Sequence, residues 1–231
     1  MSQQNLFFSK LLLNPHSREV LRDLRDPYQL HRTLSRAWGE GDEYEQARVL
    51  FRVESAAEHV SVLLVQSQRA PAWDKLPSKY FHAAPQTKEW QPAVQAGQML
   101  AFRLRANPTV KRDGKRWGLY RESEQLEWIG RKALQHGFEL GQVTATKEGQ
   151  PQRAPGRTKP NVQFWRDSIA ACPQRDKGNV LTERTAPAVF CAARFDGILC
   201  VKDVEVFLHA LHNGVGSAKG FGFGLLSVAR A

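Results

Sequence analysis

Hydrophobic positions along the chain fall into short runs whose period switches between two and about 3.6 residues, the two repeats of strand and helix. Leu6–Leu13 is an apolar run closed by Asn14-Pro15, which predicts a first strand and a stop. Asp26-Pro27 then predicts a helix start, with Asp26 as cap and Pro27 at the first helical position. Leu30, Leu34, Ala37 and Trp38 share one side of that helix, and Gly39 and Gly41 end it. Arg48–Glu54 alternates, with Val49, Phe51 and Val53 on one face, and Val60–Ser67 reads as a more buried strand. Pro71–Gln95, rich in Pro, Lys and aromatics, predicts only a short helix or loop and one weak strand.

Order resumes at Met99–Asn107, where Leu100, Phe102 and Leu104 alternate with Arg103 and Arg105. A basic loop is predicted over Lys111–Arg116. A helix follows over Glu122–His136, with Leu126, Ile129 and Ala133 at core spacing and Gly137 as its stop. Phe138 and Leu140 begin a strand, Glu148–Pro160 reads as a basic hairpin tip or loop, and Val162–Ile169 reads as a strand on its far side. Val189–Phe195 and Ile198–Val201 predict a hairpin turning at Asp196-Gly197. Asp203 caps a helix carrying Val204, Phe207, Leu208 and Leu211, which Asn213-Gly214 ends; Phe221, Phe223 and Leu225 alternate in a closing strand.

Each half of this order approximates β-α-β-β-α-β. The fold class expected is α+β, with two tandem ferredoxin-like (RRM-like) domains dividing near Gln91–Gly97, into residues 1–95 and 96–231. The halves share no sequence repeat, so this rests on element order.

Composition narrows the partners. The 231 residues hold 33 Lys+Arg against 23 Asp+Glu, a formal net charge of +10, and 42% apolar residues suffice for a packed core. Such a balance points to a polyanion, nucleic acid before membrane. No apolar run approaches the roughly 18 residues that span a bilayer, and the N-terminus lacks the basic region and cleavage site of a signal peptide, so a cytoplasmic protein is expected. Cys172, Cys191 and Cys200 form no CxxC pair, which argues against a disulfide framework or a zinc site. No HExxH, GxSxG or paired-carboxylate motif is present, which favours a metal-free mechanism with no cofactor if there is catalysis.

Three features carry chemistry. Tyr28 and His31 lie one turn apart on the first helix with Arg32 and Arg36 nearby. They read either as an acid/base pair beside phosphate-binding cations or as a helix surface hydrogen-bonded to a neighbouring loop. Gly214–Gly224 holds glycines at 214, 216, 220, 222 and 224, with Ser217 and Lys219 among them. It lacks the order of a Walker or Rossmann loop, and reads either as a phosphate-backbone cradle or as a strand edge packed tightly on the first helix. Basic residues interleaved with aromatics, Lys111, Arg112, Lys115, Arg116 and Trp117, then Arg153, Arg157, Lys159, Phe164, Trp165 and Arg166, suit an RNA groove or a merely solvated face.

Asn14-Pro15, the helix Asp26-Pro27-Tyr28-Gln29-Leu30-His31-Arg32-Thr33-Leu34-Ser35, Phe102–Pro108 and the terminal Gly-rich loop running into Gly-Leu-Leu-Ser together resemble the CasE family of CRISPR-associated endoribonucleases, the RNA-processing subunits of type I-E Cascade. The resemblance runs end to end and is weakest in 71–95 and 148–160. It implies a metal-independent enzyme that binds the stem-loop of CRISPR repeat RNA. Such an enzyme cleaves the precursor by 2′-hydroxyl attack, leaves a 2′,3′-cyclic phosphate and a 5′-hydroxyl, and stays bound beside the other Cascade subunits. On that pattern His31 is the general acid or base, Tyr28 its partner and Arg36 the cation at the phosphorane. The residues implied to bind RNA are Arg32, Arg103, Arg105, Lys111, Arg112, Lys115, Arg116, Arg153, Arg157, Lys159, Arg166, Gly216, Ser217, Lys219 and Gly220. The competing expectations are a non-catalytic RNA-binding or Cascade-assembly protein of the same fold, and a phosphate-ligand enzyme using the Gly-rich loop.

Overall fold

A computed structural model describes residues 5–39, 42–55, 60–141, 162–166 and 190–231, with 162–166 as backbone. Strand β1 (Leu6–Leu12) leads into two short helices, α1 (Arg18–Arg25) and α2 (Pro27–Ser35), where the pattern predicts one helix. Asp26 separates them. Its N–H donates to the Arg22 carbonyl at 3.0 Å, closing α1, while its carboxylate accepts from the Tyr28 N–H at 3.0 Å, opening α2. Pro27 cannot extend α1 because its nitrogen carries no hydrogen, but it fits the first turn of α2.

Helix α3 (Asp42–Ala47) precedes β2 (Leu50–Ser55), and β3 (Ser61–Ser67) and β4 (Gln86–Trp90) complete the first sheet. Its order, β2-β3-β1-β4 with every pairing antiparallel, is ferredoxin-like. Leu30 and Leu34 of α2 pack with Leu11, Phe51, Leu63 and Tyr80 into one core. In place of the usual second helix there is one 3-10 turn, Trp73–Lys75. Pro71, Pro77 and Pro85 lack the N–H that a longer helix needs there.

The second sheet begins with β5 (Met99–Ala106). The predicted basic loop is a hairpin, β6 (Thr109–Arg112) and β7 (Lys115–Gly118), turning through Asp113 and Gly114, both at positive φ (49° and 75°). Helix α4 (Glu122–Gln135), β8 (Phe138–Leu140), β9 (Val162–Arg166), β10 (Ala193–Val201), α5 (Val204–Asn213) and β11 (Leu226–Arg230) follow. The order is β11-β5-β10-β8, with β9 pairing the other end of β10, again a ferredoxin-like sheet with its second strand in two pieces. Trp128, Ile129, Phe138, Phe195, Phe207 and Leu211 form its core.

Two local expectations fail. Asp196-Gly197 is not a turn: both lie inside the unbroken β10, paired with Arg103 and Phe102 on one side and Gln163 and Val162 on the other. The Asp196 carboxylate is held by Arg103 and Arg194, so cross-strand pairing overrides local turn preference. The closing strand begins at Leu226, and Phe221–Leu225 belongs to the approaching loop. The predicted loop 148–160 lies outside the described residues.

Buried polar side chains join the two sheets. Arg52, 2% exposed, donates to the carbonyls of Leu225 (3.1 Å) and Arg103 (3.3 Å) and to the Ser227 hydroxyl (3.1 Å). It also pairs with Glu54 at 2.7 Å. Gln66 donates to the Leu211 carbonyl at 2.6 Å. These bonds tie the face of the first sheet opposite α2 to β5, α5 and the C-terminal segment.

Candidate active site and nucleic-acid interface

Tyr28 and His31 stand one turn apart on α2, a spacing that puts their Cβ atoms about 5–6 Å from each other. The apolar stripe of Leu30 and Leu34 faces the core, so His31 sits half-buried at the edge of that stripe. Tyr44 of α3 meets the imidazole edge to face, with centroids 5.2 Å apart at 85°, and its hydroxyl lies 3.1 Å from Nδ1. Trp38 backs Tyr44 at 6.4 Å. Burial pushes His31 below its ordinary value of 6.5 and pushes the Tyr44 phenol up to about 12, so both are neutral at pH 7. With Nδ1 engaged by Tyr44, Nε2 is the nitrogen left for proton exchange with a substrate.

The Gly-rich loop closes over this ring. A Cβ on Gly220 would stand 3.4 Å from His31 Cε1 and Nδ1, and the 3-10 turn Lys219–Phe221 packs on α2. The loop is tied at both ends: Val215 donates to the Gly224 carbonyl at 2.9 Å, and Gly224 to the Arg105 carbonyl at 2.8 Å. Gly214 has φ +73°, and a Cβ there would fall 2.8 Å from the Gly224 carbonyl and 2.9 Å from Leu50. Close packing within the loop and on β2 thus requires glycine at 214, whereas Gly220 makes only ordinary contact with α2.

The expected cations divide. Arg32 and Arg36 are exposed on and just after α2, and Lys111, Arg112, Lys115 and Arg116 are exposed on the β6–β7 hairpin with Trp117. Lys219 is half-buried in the loop; burial first, then Arg48 and Lys132, hold its ammonium below the ordinary lysine range. Ser217 turns its hydroxyl to the Asn107 carbonyl at 3.4 Å. Gly216 packs against the Trp128 ring. Arg103 is held by Asp196 at 2.6 Å and Glu54 at 3.4 Å, and its hydrogen bond to Asp196 raises it above the ordinary arginine value. Arg105 lies over the Phe223 ring, 4.5 Å from its centroid. Arg153, Arg157 and Lys159 fall outside the described residues, and Arg166 is placed by its backbone on β9.

Tyr44 is the site residue that pattern reading misses. It lies on a six-residue helix of sequence DEYEQA, with no motif linking it to His31 thirteen positions earlier. Among the described residues no three His, Cys, Asp or Glu gather as metal ligands, and no helix is long and apolar enough to cross a membrane.

The chain is similar to known proteins over nearly its whole length. The family model described as CRISPR associated protein matches residues 6–230. The CRISPR-associated endoribonuclease Cse3 of Thermus thermophilus is 37% identical over 227 residues, covering 97% of this chain and 100% of that protein. The CRISPR system Cascade subunit CasE of Escherichia coli is 29% identical over 221 residues, covering 89% and 92%. The structure of Thermus thermophilus Cse3 bound to an RNA representing a pre-cleavage complex superposes with TM-score 0.78 at 36% identity, covering 97% of this chain and 99% of that one.

Proposed function

Because this chain belongs to the family of CRISPR-associated proteins, we propose that it is a metal-independent endoribonuclease that binds the stem-loop of CRISPR repeat RNA and cuts the precursor transcript. The observation that carries this is the His31 imidazole, neutral, held at Nδ1 by Tyr44 and roofed by Gly220, one helical turn from Tyr28.

The reaction is attack by a 2′-hydroxyl on the adjacent phosphorus. The 2′-oxygen loses its proton as the new P–O bond forms, and the departing 5′-oxygen gains one as the old bond breaks. The products are a 2′,3′-cyclic phosphate and a 5′-hydroxyl. His31, through Nε2, and Tyr28 carry these two transfers. Arg36, with Arg32 beside it, offsets the charge that gathers on the crowded phosphorane. Tyr44 is a positioning residue: its hydrogen bond and edge contact select the ring orientation in which Nε2 meets RNA.

The two halves divide the work. Residues 1–95 carry the proton-transfer helix, and residues 96–231 carry the hairpin and loop that grip RNA. The protein acts in the cytoplasm, keeps the product and serves as a Cascade subunit, as its Escherichia coli relative is named.

The test is to incubate the protein with a labelled repeat stem-loop, with and without EDTA, and to analyse the 3′ end. A cyclic phosphate formed equally in both is the expected result. Binding without cleavage would instead support a non-catalytic RNA-binding protein of the same fold.

A further inference from the structure

A cavity of about 410 Å³ opens beside the Gly-rich loop, lined in part by Gly214, Gly216, Ser217 and Lys219 and not by His31. Five basic side chains line it: Lys111 and Arg116 of the β6–β7 hairpin, Lys132 of α4 with His136 at its C-cap, and Lys219 of the loop. Lys132 stands in the last turn of α4 and His136 caps it, the His136 N–H donating to the Lys132 carbonyl at 3.0 Å. No acidic residue lines the cavity, and none of the five is in an ion pair among the described residues. Among the described residues Lys132 donates to the neutral Gln135 side chain, at 2.9 Å. Thr109 and Ser217 also line the wall, the Ser217 hydroxyl donating to the Asn107 carbonyl.

Gathering cations in a recess without counter-charge is unfavourable for the empty protein. Burial, then Lys132, Lys219 and His209, pushes the His136 imidazole below its ordinary value, and Lys219 is pushed down by its own burial, then by Arg48 and Lys132. An anion resolves this crowding, and the tetrahedral, multiply accepting oxygens of phosphate suit donors that converge from three elements. The cavity also adjoins the proton-transfer site. Lys219 lines it, and the next residue, Gly220, touches the His31 ring.

We propose that this cavity binds a phosphodiester of the RNA other than the one being cut, with Lys132 and His136 as binding residues. The proposal rests on the endoribonuclease reading above. It makes the Gly-rich loop a wall between two phosphates of one strand, the scissile one at His31 and a second held between hairpin and α4.

The experiment measures the affinity of the full-length His31→Ala protein for a repeat stem-loop across a series of salt concentrations. The same series is run with Lys132→Met plus His136→Gln added, and separately with the remote Lys88→Met. The double change is expected to weaken binding roughly tenfold at low salt and to make the log K against log salt slope shallower by about one. Lys88→Met leaves both unaltered, and Lys132→Arg restores the slope. Thermal unfolding of each variant separates lost folding from lost contact.

An unchanged slope in the folded double variant, while the wild-type protein still cuts the stem-loop, overturns the cavity proposal and leaves the enzyme reading standing. Inorganic phosphate provides the second arm. If it shifts the His136 ring resonances and the stem-loop does not, the cavity serves a free anion and the proposal fails. If wild-type protein neither binds nor cuts the stem-loop, the enzyme reading falls and takes this one with it.

Discussion

The Tyr44 hydroxyl stands 3.1 Å from His31 Nδ1, with the phenol ring set edge-on to the imidazole. This pair joins α3 to α2 and leaves one imidazole nitrogen for RNA. Tyr44→Phe keeps the ring contact and removes only the hydrogen bond. The expected result is a cleavage rate lowered about fivefold to thirtyfold, from about 1–2 kcal/mol of lost positioning, with stem-loop affinity unchanged. A full-rate Tyr44→Phe enzyme would show that the bond is incidental.

His31→Ala is expected to bind the repeat stem-loop with wild-type affinity and to lose cleavage. Gel-shift and single-turnover assays on the same preparation test both. Normal cleavage by this variant in EDTA would remove His31 from the mechanism.

The pH dependence follows from burial of the same ring. Burial disfavours the charged imidazole, so the folded protein binds this proton less readily than the unfolded chain does. The depressed value means that this group subtracts no stability above the ordinary value of 6.5 and subtracts it progressively as pH falls below. His31 in RNA-free protein is expected to titrate below 6.5 by NMR, and kcat/KM is expected to bend at the same pH. A His31 midpoint above that ordinary value contradicts the buried setting.

Arg52 is expected to be a strong determinant of stability. Its guanidinium is buried and bonded to Glu54, two carbonyls and Ser227 across the two sheets. Although burial works to raise the Glu54 carboxyl, Arg52 and then Arg103 outweigh it and hold Glu54 below its ordinary value. Arg52→Met leaves these acceptors without their donor and is expected to cost about 3 kcal/mol in denaturant unfolding. A loss below about 0.5 kcal/mol would mean that the sheets hold together without it.

The glycines of the loop are not equivalent. Gly214 has positive φ and meets backbone at 2.8 Å, so Gly214→Ala is expected to cost about 1–3 kcal/mol. At Gly220 a methyl group makes ordinary contact with the His31 ring at 3.4 Å, so Gly220→Ala is expected to leave stability within about 0.5 kcal/mol. Equal losses in thermal unfolding would refute this division.

Local chemistry determined a large part of this protein. Alternation marked Phe102 and Leu104 as core positions on β5, Asp26-Pro27 set the start of α2, and the three- and four-residue spacing of apolar side chains marked α4 and α5. Tyr28 and His31 were visible because they fall on one helix, where spacing in the chain translates directly into spacing in space. The charge of +10 pointed to a polyanion before any element was placed. Contacts between residues distant in the chain decided the rest. Arg103 and Arg105 alternate on one strand as solvated cations would, yet Asp196 and Glu54 hold the first and Phe223 lies beneath the second. Asp196-Gly197 has the composition of a turn, but pairing on both sides draws it into β10. Tyr44 has no sequence tie to His31, and Lys132 and His136 meet the hairpin and the loop only once α4 has packed. Periodicity records which face of an element is buried. It does not record which distant side chain arrives there, because that partner is chosen by packing of the whole chain.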